Sequence, residues 1–115
     1  VNPQRQEASH AHHGLFFDDV RFGMLLLACD LGCDCMWVYQ LDNVSRALLP
    51  FSSCQSVHLP PGAGPRHAIR STRVETDVFV VCELSLGLAG FRMSPEGNFV
   101  PLFDVLSICD PAATT

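Results

Sequence analysis

Lysine is absent from this sequence of 115 residues, and its seven cationic side chains are all arginine. With twelve aspartates and glutamates, the formal net charge at pH 7 is −5. Proteins that bind nucleic acid usually carry a basic patch, and no run of arginines forms one here. The charge balance therefore argues against nucleic acid as a partner.

Long apolar segments are also absent. The longest apolar run, residues 24–29, is far short of the roughly 20 residues that a membrane-spanning helix needs. The chain starts at Val1 and shows no basic, then apolar, secretory leader. We therefore expect no contact with a membrane and a cytoplasmic location, where thiols stay reduced.

Paired cysteine spacing of the kind that holds structural zinc is missing as well. Six cysteines are present, and Cys29, Cys33 and Cys35 form one cluster. Structural zinc usually needs a second pair of Cys or His ligands, whereas the other three cysteines are isolated. We therefore expect six free thiols, no metal site and no cofactor, with metal binding by the cluster as the less favoured alternative.

Short strand-like segments separated by turns make up most of the sequence. No segment shows a sustained i, i+3, i+4, i+7 apolar face, so helix is expected in less than about a tenth of the chain. The largely apolar segments at 24–31 and 78–82 are typical of strands buried on both faces. A Pro- and Gly-rich stretch at 60–65 interrupts the pattern. The fold class is therefore all-β.

The strand pattern repeats once along the chain. Asp30-Leu31 matches Glu83-Leu84 at an offset of 53, and His13 precedes His67 by 54. A period near 50 residues with four short strands is the size of a β-propeller blade. The expected units are a linker or loose end at 1–9, blades at 10–60 and 61–110, and a tail at 111–115.

Two blades do not close a propeller, which has about 4 to 8 of them. Each blade buries its apolar faces against its neighbours, so two blades alone leave two faces open. We therefore expect a segment of a longer protein, with the remaining blades as its partners. The isolated chain is predicted to aggregate or to stay partly unfolded.

Polar residues recur where each repeat unit begins and where its second strand ends. They are, in chain order, His10, His12, His13, Asp30, Arg66, His67 and Glu83. Because the inner strands of a propeller converge on a central channel, these side chains could face one site. A buried acid would also need a partner such as histidine or arginine. The structural alternative is that they serve as turn and inter-blade hydrogen-bonding groups.

Four short motifs follow one another in a specific order. They are His-Ala-His at 10–12, Cys-Asp-Leu-Gly-Cys-Asp at 29–34, Gly-Pro-Arg-His at 64–67 and Cys-Glu-Leu at 82–84. Together they resemble the 6-phosphogluconolactonase family of seven-bladed propellers, which includes carboxymuconate-lactonizing enzymes. Members of that family typically carry His-Ala-His, PDLG-x-D, GPRH and NEL. The resemblance covers residues 10–108, about two blades of seven.

The sequence departs from the family pattern in three places. The family's SPDG turn is replaced by a longer segment at 18–23, and the matching turn at 72–77 lacks it too. Cys82 stands where the family has Asn before the glutamate. These departures concern the blade edges and the hydrogen bonds around Glu83.

The resemblance also implies a site. Its catalytic residues would be Arg66, Glu83 and one of His12 and His13, and the family's further arginine would lie beyond Thr115. Nearby polar residues, expected at the substrate, are His10, Asp30 and His67. The implied activity is hydrolysis of a sugar lactone such as 6-phosphogluconolactone, a small-molecule substrate.

Lactone chemistry suggests a role for each group. Water adds to an ester carbonyl and an oxyanion develops, so Glu83 would accept the proton of that water. The planar fork of Arg66 suits an oxyanion, phosphate or carboxylate. The same residues would also serve a carboxymuconate-type cyclase. A third possibility is a non-catalytic propeller scaffold, because propellers host unrelated functions.

Overall fold

The computed structural model describes residues 2–108, and its regular secondary structure consists of strands alone. The first sheet contains β1 (Ala11–Asp19), β2 (Gly23–Asp30), β3 (Cys35–Leu41), β4 (Leu48–Pro50) and β5 (Ser56–His58). The second contains β6 (Pro65–Arg70), β7 (Asp77–Cys82), β8 (Gly87–Met93), β9 (Phe99–Pro101) and β10 (Leu106–Ser107). Over residues 2–108, no helix is long and apolar enough to cross a membrane.

Both sheets are antiparallel and have four strand positions. In the first sheet the order is β1-β2-β3-β4, and β5 also pairs with β3. The outermost position is therefore shared by two short strands, which pair with opposite ends of β3. The second sheet repeats this plan, with β9 and β10 both pairing with β8. The prediction of two four-stranded antiparallel sheets is confirmed.

The central strands are apolar on both faces, as the continuous apolar runs predicted. In β2, the side chains of Leu25, Leu27 and Cys29 are fully buried. The alternate residues, such as Leu26, are half-buried on the other face. Successive side chains in a strand point to opposite sides. One face of β2 therefore belongs to the core and the other lies at the surface of the two-sheet unit.

The two sheets pack against each other with their first strands, β1 and β6, side by side. Phe17 on β1 is fully buried, and its ring meets Phe99 edge-on at a centroid distance of 5.8 Å. The Arg70 guanidinium lies 3.9 Å from the centroid of the Phe17 ring. Its Nη2 also donates to the Asp18 carbonyl at 2.8 Å, which links β6 to β1.

The strand register corrects the expected match between Asp30 and Glu83. Asp30 pairs with Ala11, and Cys82 pairs with Pro65. The structural equivalent of Asp30 is therefore Cys82, 52 residues later, and Glu83 corresponds to Leu31. Asp30 and Cys82 are both fully buried. The sequence overlay at offset 53 was wrong by one residue at this point.

Apolar side chains remain on the outer faces of the unit. Phe16 on β1 is 62% exposed, and Ile69 on β6 is 64% exposed. Leu49 on β4 and Val81 on β7 are also exposed. These surfaces are where neighbouring blades would pack.

Candidate functional site

The first strand of each sheet carries one extra residue at the same place. Ala11 pairs with Asp30 and His13 with Cys29, so His12 has no partner in the register. In the second sheet, Arg66 is the extra residue between Pro65 and His67. Such bulges re-aim side chains and are frequent next to functional sites. His12 and Arg66 are therefore structural equivalents on adjacent sheets.

Glu83 lies beside Arg66, in the turn after β7. Its backbone amide donates to the Gly64 carbonyl at 2.8 Å, which holds the turn against the chain that leads into β6. Arg66 donates through Nη1 to Oε1 of Glu83, and Arg5 donates through Nη2 to Oε2 at 2.5 Å. One carboxylate therefore joins two guanidinium groups.

Electrostatics keep the Glu83 carboxyl ionised. The hydrogen bond from Arg66 is the largest effect and lowers the pKa of Glu83. Burial opposes it, and the bond and charge of Arg5 add to the lowering. The two arginine side chains are 43% and 48% exposed, for Arg66 and Arg5. Both guanidinium groups are therefore open to a ligand from solvent.

A shallow hollow connects this ion cluster to His12. Arg5 and His12 both line it, together with His10, Glu7, Gln4 and Leu31. The His10 ring is turned toward Glu7, with Nε2 2.7 Å from Oε1 of that carboxylate. The hollow thus combines an exposed imidazole, a guanidinium and a His–Glu pair.

His13 and His67 meet between the two sheets. Their ring centroids are 4.9 Å apart, and Nδ1 of His13 accepts a hydrogen bond from the Ala68 amide at 3.2 Å. His13 therefore bridges β1 to β6. Of the two candidate histidines, His12 is the one that lines the hollow with Arg5.

Asp30 is fully buried and accepts hydrogen bonds from five donors. The Ser9 hydroxyl and Trp37 Nε1 donate to Oδ2, the latter at 2.9 Å. The amides of His10, Gly32 and Cys33 donate to Oδ1 at 2.8, 3.1 and 3.2 Å. Burial alone would raise the Asp30 pKa, but these bonds outweigh it and lower the pKa to about 2. This geometry favours a structural role over the predicted contact with substrate.

The segment before β1, expected to be a linker or loose end, is tied to the first sheet. Gln6 Nε2 donates to the Leu31 carbonyl at 2.9 Å and to Oδ1 of Asp34 at 2.5 Å. Gly32 leaves room for this segment, because a Cβ added there would lie 1.7 Å from the Ala8 carbonyl oxygen. These contacts hold Gln6 and Ala8, just after Arg5, against the first sheet.

Asp34 links the two arginine-bearing segments. Besides binding Gln6, it accepts from the Gly62 amide through Oδ2 and from the Gly64 amide through Oδ1, both at 2.8 Å. Gly64 has a φ of +63°, which favours glycine, and a Cβ there would lie 2.5 Å from the Leu84 side chain. Sequence reasoning missed Arg5 and Asp34, although the PDLG-x-D resemblance had included the latter as a motif residue.

The buried cysteines are unreactive thiols, although Cys82 directly precedes Glu83. Cys29, Cys33, Cys35, Cys54 and Cys82 are unpaired, and Cys109 lies outside the described residues. Burial raises the pKa of Cys29 to about 12 and that of Cys82 to about 11, so both stay protonated. Across residues 2–108, no group of three or more His, Cys, Asp or Glu side chains is placed to hold a metal ion.

Comparison with known proteins gives this arrangement a context. The sequence matches the family described as "Lactonase, 7-bladed beta-propeller" over residues 1–115. No curated protein sequence matches the chain significantly.

Solved structures share the fold. The periplasmic gluconolactonase of Pseudomonas aeruginosa is 28% identical with a TM-score of 0.79, covering 96% of this chain and 29% of that protein. A Bacteroides fragilis protein with a provisional 6-phosphogluconolactonase assignment is 21% identical with a TM-score of 0.80, covering 96% and 31%. A Lactobacillus plantarum protein is 24% identical with a TM-score of 0.77, covering 96% and 30%. The chain thus spans about three tenths of these structures.

Proposed function

Since the chain belongs to the family of seven-bladed β-propeller lactonases, we propose that the protein hydrolyses a sugar lactone, with 6-phosphogluconolactone as the first candidate. The observation that carries this proposal is the ion pair of Arg66 and Glu83. It lies at the start of β6, and the exposed His12 lies at the equivalent place at the start of β1. Relatives of the same fold include a gluconolactonase.

Arg66 suits the charge that develops during lactone hydrolysis. Attack of water on the ring ester places negative charge on the carbonyl oxygen, and preorganised donors stabilise that oxyanion. One N–H group of Arg66 is held by Glu83, which orients the guanidinium. The half-exposed remainder of the group is free to meet the substrate.

Glu83 is a poor proton acceptor in this geometry, because arginines donate to both of its carboxylate oxygens. A general base works best when its pKa lies near the working pH, and the flanking arginines hold the pKa of Glu83 below its ordinary value. The exposed imidazole of His12 shares a hollow with Arg5. We therefore assign activation of water to His12 and orientation of Arg66 to Glu83, in place of the predicted role of Glu83 as the base.

Variants in the complete propeller test this assignment. His12→Asn should lower kcat by about a hundredfold or more, which is typical for loss of a general base. Glu83→Gln should lower kcat by only about tenfold, because the amide oxygen still accepts one bond from Arg66. Turnover is followed as acid release, corrected for spontaneous hydrolysis. Arg73→Ala, in the turn between β6 and β7 at the far end of the strands, is the control.

Three outcomes would change this conclusion. A larger loss of kcat in Glu83→Gln than in His12→Asn would make Glu83 the base. A wild-type protein that lactonises a carboxymuconate without hydrolysing sugar lactones would be a cyclase. Absence of both activities would favour the scaffold function.

We also propose a cytoplasmic location for the protein. It is supported by the exposed, unpaired Cys33, because an accessible thiol is prone to oxidation in an oxidising compartment. Cell fractionation with an antibody against the complete protein tests this, and recovery from the periplasm would contradict it.

A further inference from the structure

Arg5 is a second cation of the site that the family motifs do not include. It precedes the first strand, yet its Nη2 reaches Oε2 of Glu83 at 2.5 Å, across 78 positions of the sequence. The same side chain lines the hollow that contains His12. It therefore belongs to both parts of the site.

The N–H donors of this cluster are not all used. Arg5 and Arg66 share the carboxylate of Glu83, while Glu7, on the same hollow, pairs with His10 and interacts electrostatically with Arg5. Each guanidinium has five N–H donors, and in residues 2–108 the Arg5 guanidinium donates to Glu83 alone. The cluster therefore has charged N–H donors available to bind an anion.

The backbone holds Arg5 in position. Its amide donates to Oδ1 of Asn2 at 3.0 Å, and the neighbouring Gln6 is anchored on Asp34. Asp34 also binds the amides of Gly62 and Gly64, on the chain that leads into Arg66. The backbone segments that carry the two arginines are thus tied to one carboxylate, that of Asp34, before a ligand arrives.

We propose that Arg5 is a specificity residue that binds the phosphate of a phosphorylated sugar lactone. The inference rests on the proposed lactonase function and adds to it the preference among sugar lactones. A phosphate offers several anionic oxygens to a pair of guanidinium groups, whereas an unphosphorylated lactone is neutral before attack. Arg5 should therefore act in binding and leave the chemical step to His12, Arg66 and Glu83.

Kinetics with matched substrates test the role of Arg5. In the complete propeller, Arg5→Ala should raise KM for 6-phosphogluconolactone about tenfold, as expected for one charge-assisted hydrogen bond, and leave kcat within about twofold. KM for gluconolactone should change less than about twofold. Arg5→Lys should recover part of the affinity, because it restores the charge without the fork. Arg73→Ala, an exposed arginine at the opposite end of β6, should match wild type.

Direct binding separates failure of this proposal from failure of the lactonase function. Titration calorimetry with 6-phosphogluconate should show about tenfold weaker binding to Arg5→Ala than to wild type, while gluconate binding stays unchanged. If wild type turns over neither lactone but this difference persists, the lactonase function fails and the anion site stands. Equal 6-phosphogluconate affinity of Arg5→Ala and wild type, or an equal rise of KM for both lactones, would overturn the role of Arg5.

Discussion

The turns that follow β2 and β7 have similar backbones, but the carboxylate next to each turn lies in an opposite environment, buried in one case and partly exposed in the other. Asp34 and Leu86 both have positive φ, 54° and 53°, at equivalent positions. At the end of β2, just before the first turn, Asp30 is fully buried and accepts five hydrogen bonds. In the second, Glu83 sits one register position later and faces two exposed arginines.

A displacement of one residue separates a structural carboxylate from a candidate functional one. Neighbouring positions in a strand or its continuation point to opposite sides, so a shift of one moves a side chain from the core to the surface. A buried carboxylate persists only if the protein saturates it with donors, as it does around Asp30. Glu83 keeps its charge through ion pairs with exposed arginine side chains, which a substrate can approach.

The largest effect that we expect is a loss of stability when the Asp30 carboxylate is removed. Asp30→Asn should destabilise the complete propeller by about 3 kcal/mol, because an amide cannot accept all five bonds and buries two unmatched N–H donors. Chemical denaturation at pH 7 measures this loss. Glu83→Gln is the matched control and should cost no more than about 1 kcal/mol, since its ion pairs are partly exposed. Equal losses in the two variants would contradict the contrast.

Lowering the pH should also reduce stability through Asp30, by less than the Asp30→Asn substitution does. The folded-state pKa of Asp30, about 2 against an ordinary 3.8, corresponds to roughly 2 kcal/mol of stability. Because the folded pKa is the lower one, this stability is complete above about pH 4 and is lost as the pH falls toward 2. Denaturation of wild type and Asp30→Asn at pH 5 and pH 3 isolates the contribution. Parallel pH dependences would show that Asp30 is not the group responsible.

Much of this molecule could be predicted from its sequence, and the exceptions have physical reasons. Periodicity and turn residues identified the two sheets, because apolar runs and Pro-Gly breaks act locally. Arg66 and Glu83 were predicted as neighbours from motif order. Arg5 was missed, since a polar segment without apolar periodicity gives no sign that side-chain hydrogen bonds will dock it. The Asp30 overlay erred by one, because the first hairpin is two residues longer than the second, so that the repeat offset falls from 54 between Ala11 and Pro65 to 52 between Asp30 and Cys82.

Gly32 offers a third test, because its structural equivalent in the second turn is Leu84. A Cβ at Gly32 would lie 1.7 Å from the Ala8 carbonyl oxygen, so the segment that carries Arg5 must move. We expect Gly32→Ala to cost about 1–2 kcal/mol and to raise KM for 6-phosphogluconolactone as Arg5→Ala does. Gly14→Ala is the control, because its new Cβ would meet only the flexible end of Leu26 at 3.2 Å. An unchanged KM in Gly32→Ala would mean that the packing of Ala8 against Gly32 does not position Arg5.

The smallest expected effect comes from a single donor to Asp30. Trp37→Phe keeps an aromatic ring and removes the Nε1–H bond of 2.9 Å to Oδ2, which should cost about 1 kcal/mol at pH 7. Because that bond stabilises the ionised carboxylate, its loss should raise the Asp30 pKa and move the acid-induced loss of stability to higher pH. In an Asp30→Asn background the same substitution should cost less, since the charged acceptor is gone. Tyr39→Phe, on the same strand, removes a hydroxyl that has no hydrogen bond within residues 2–108 and should be nearly neutral. Additive losses in the double variant would mean that Trp37 stabilises the fold through its ring alone.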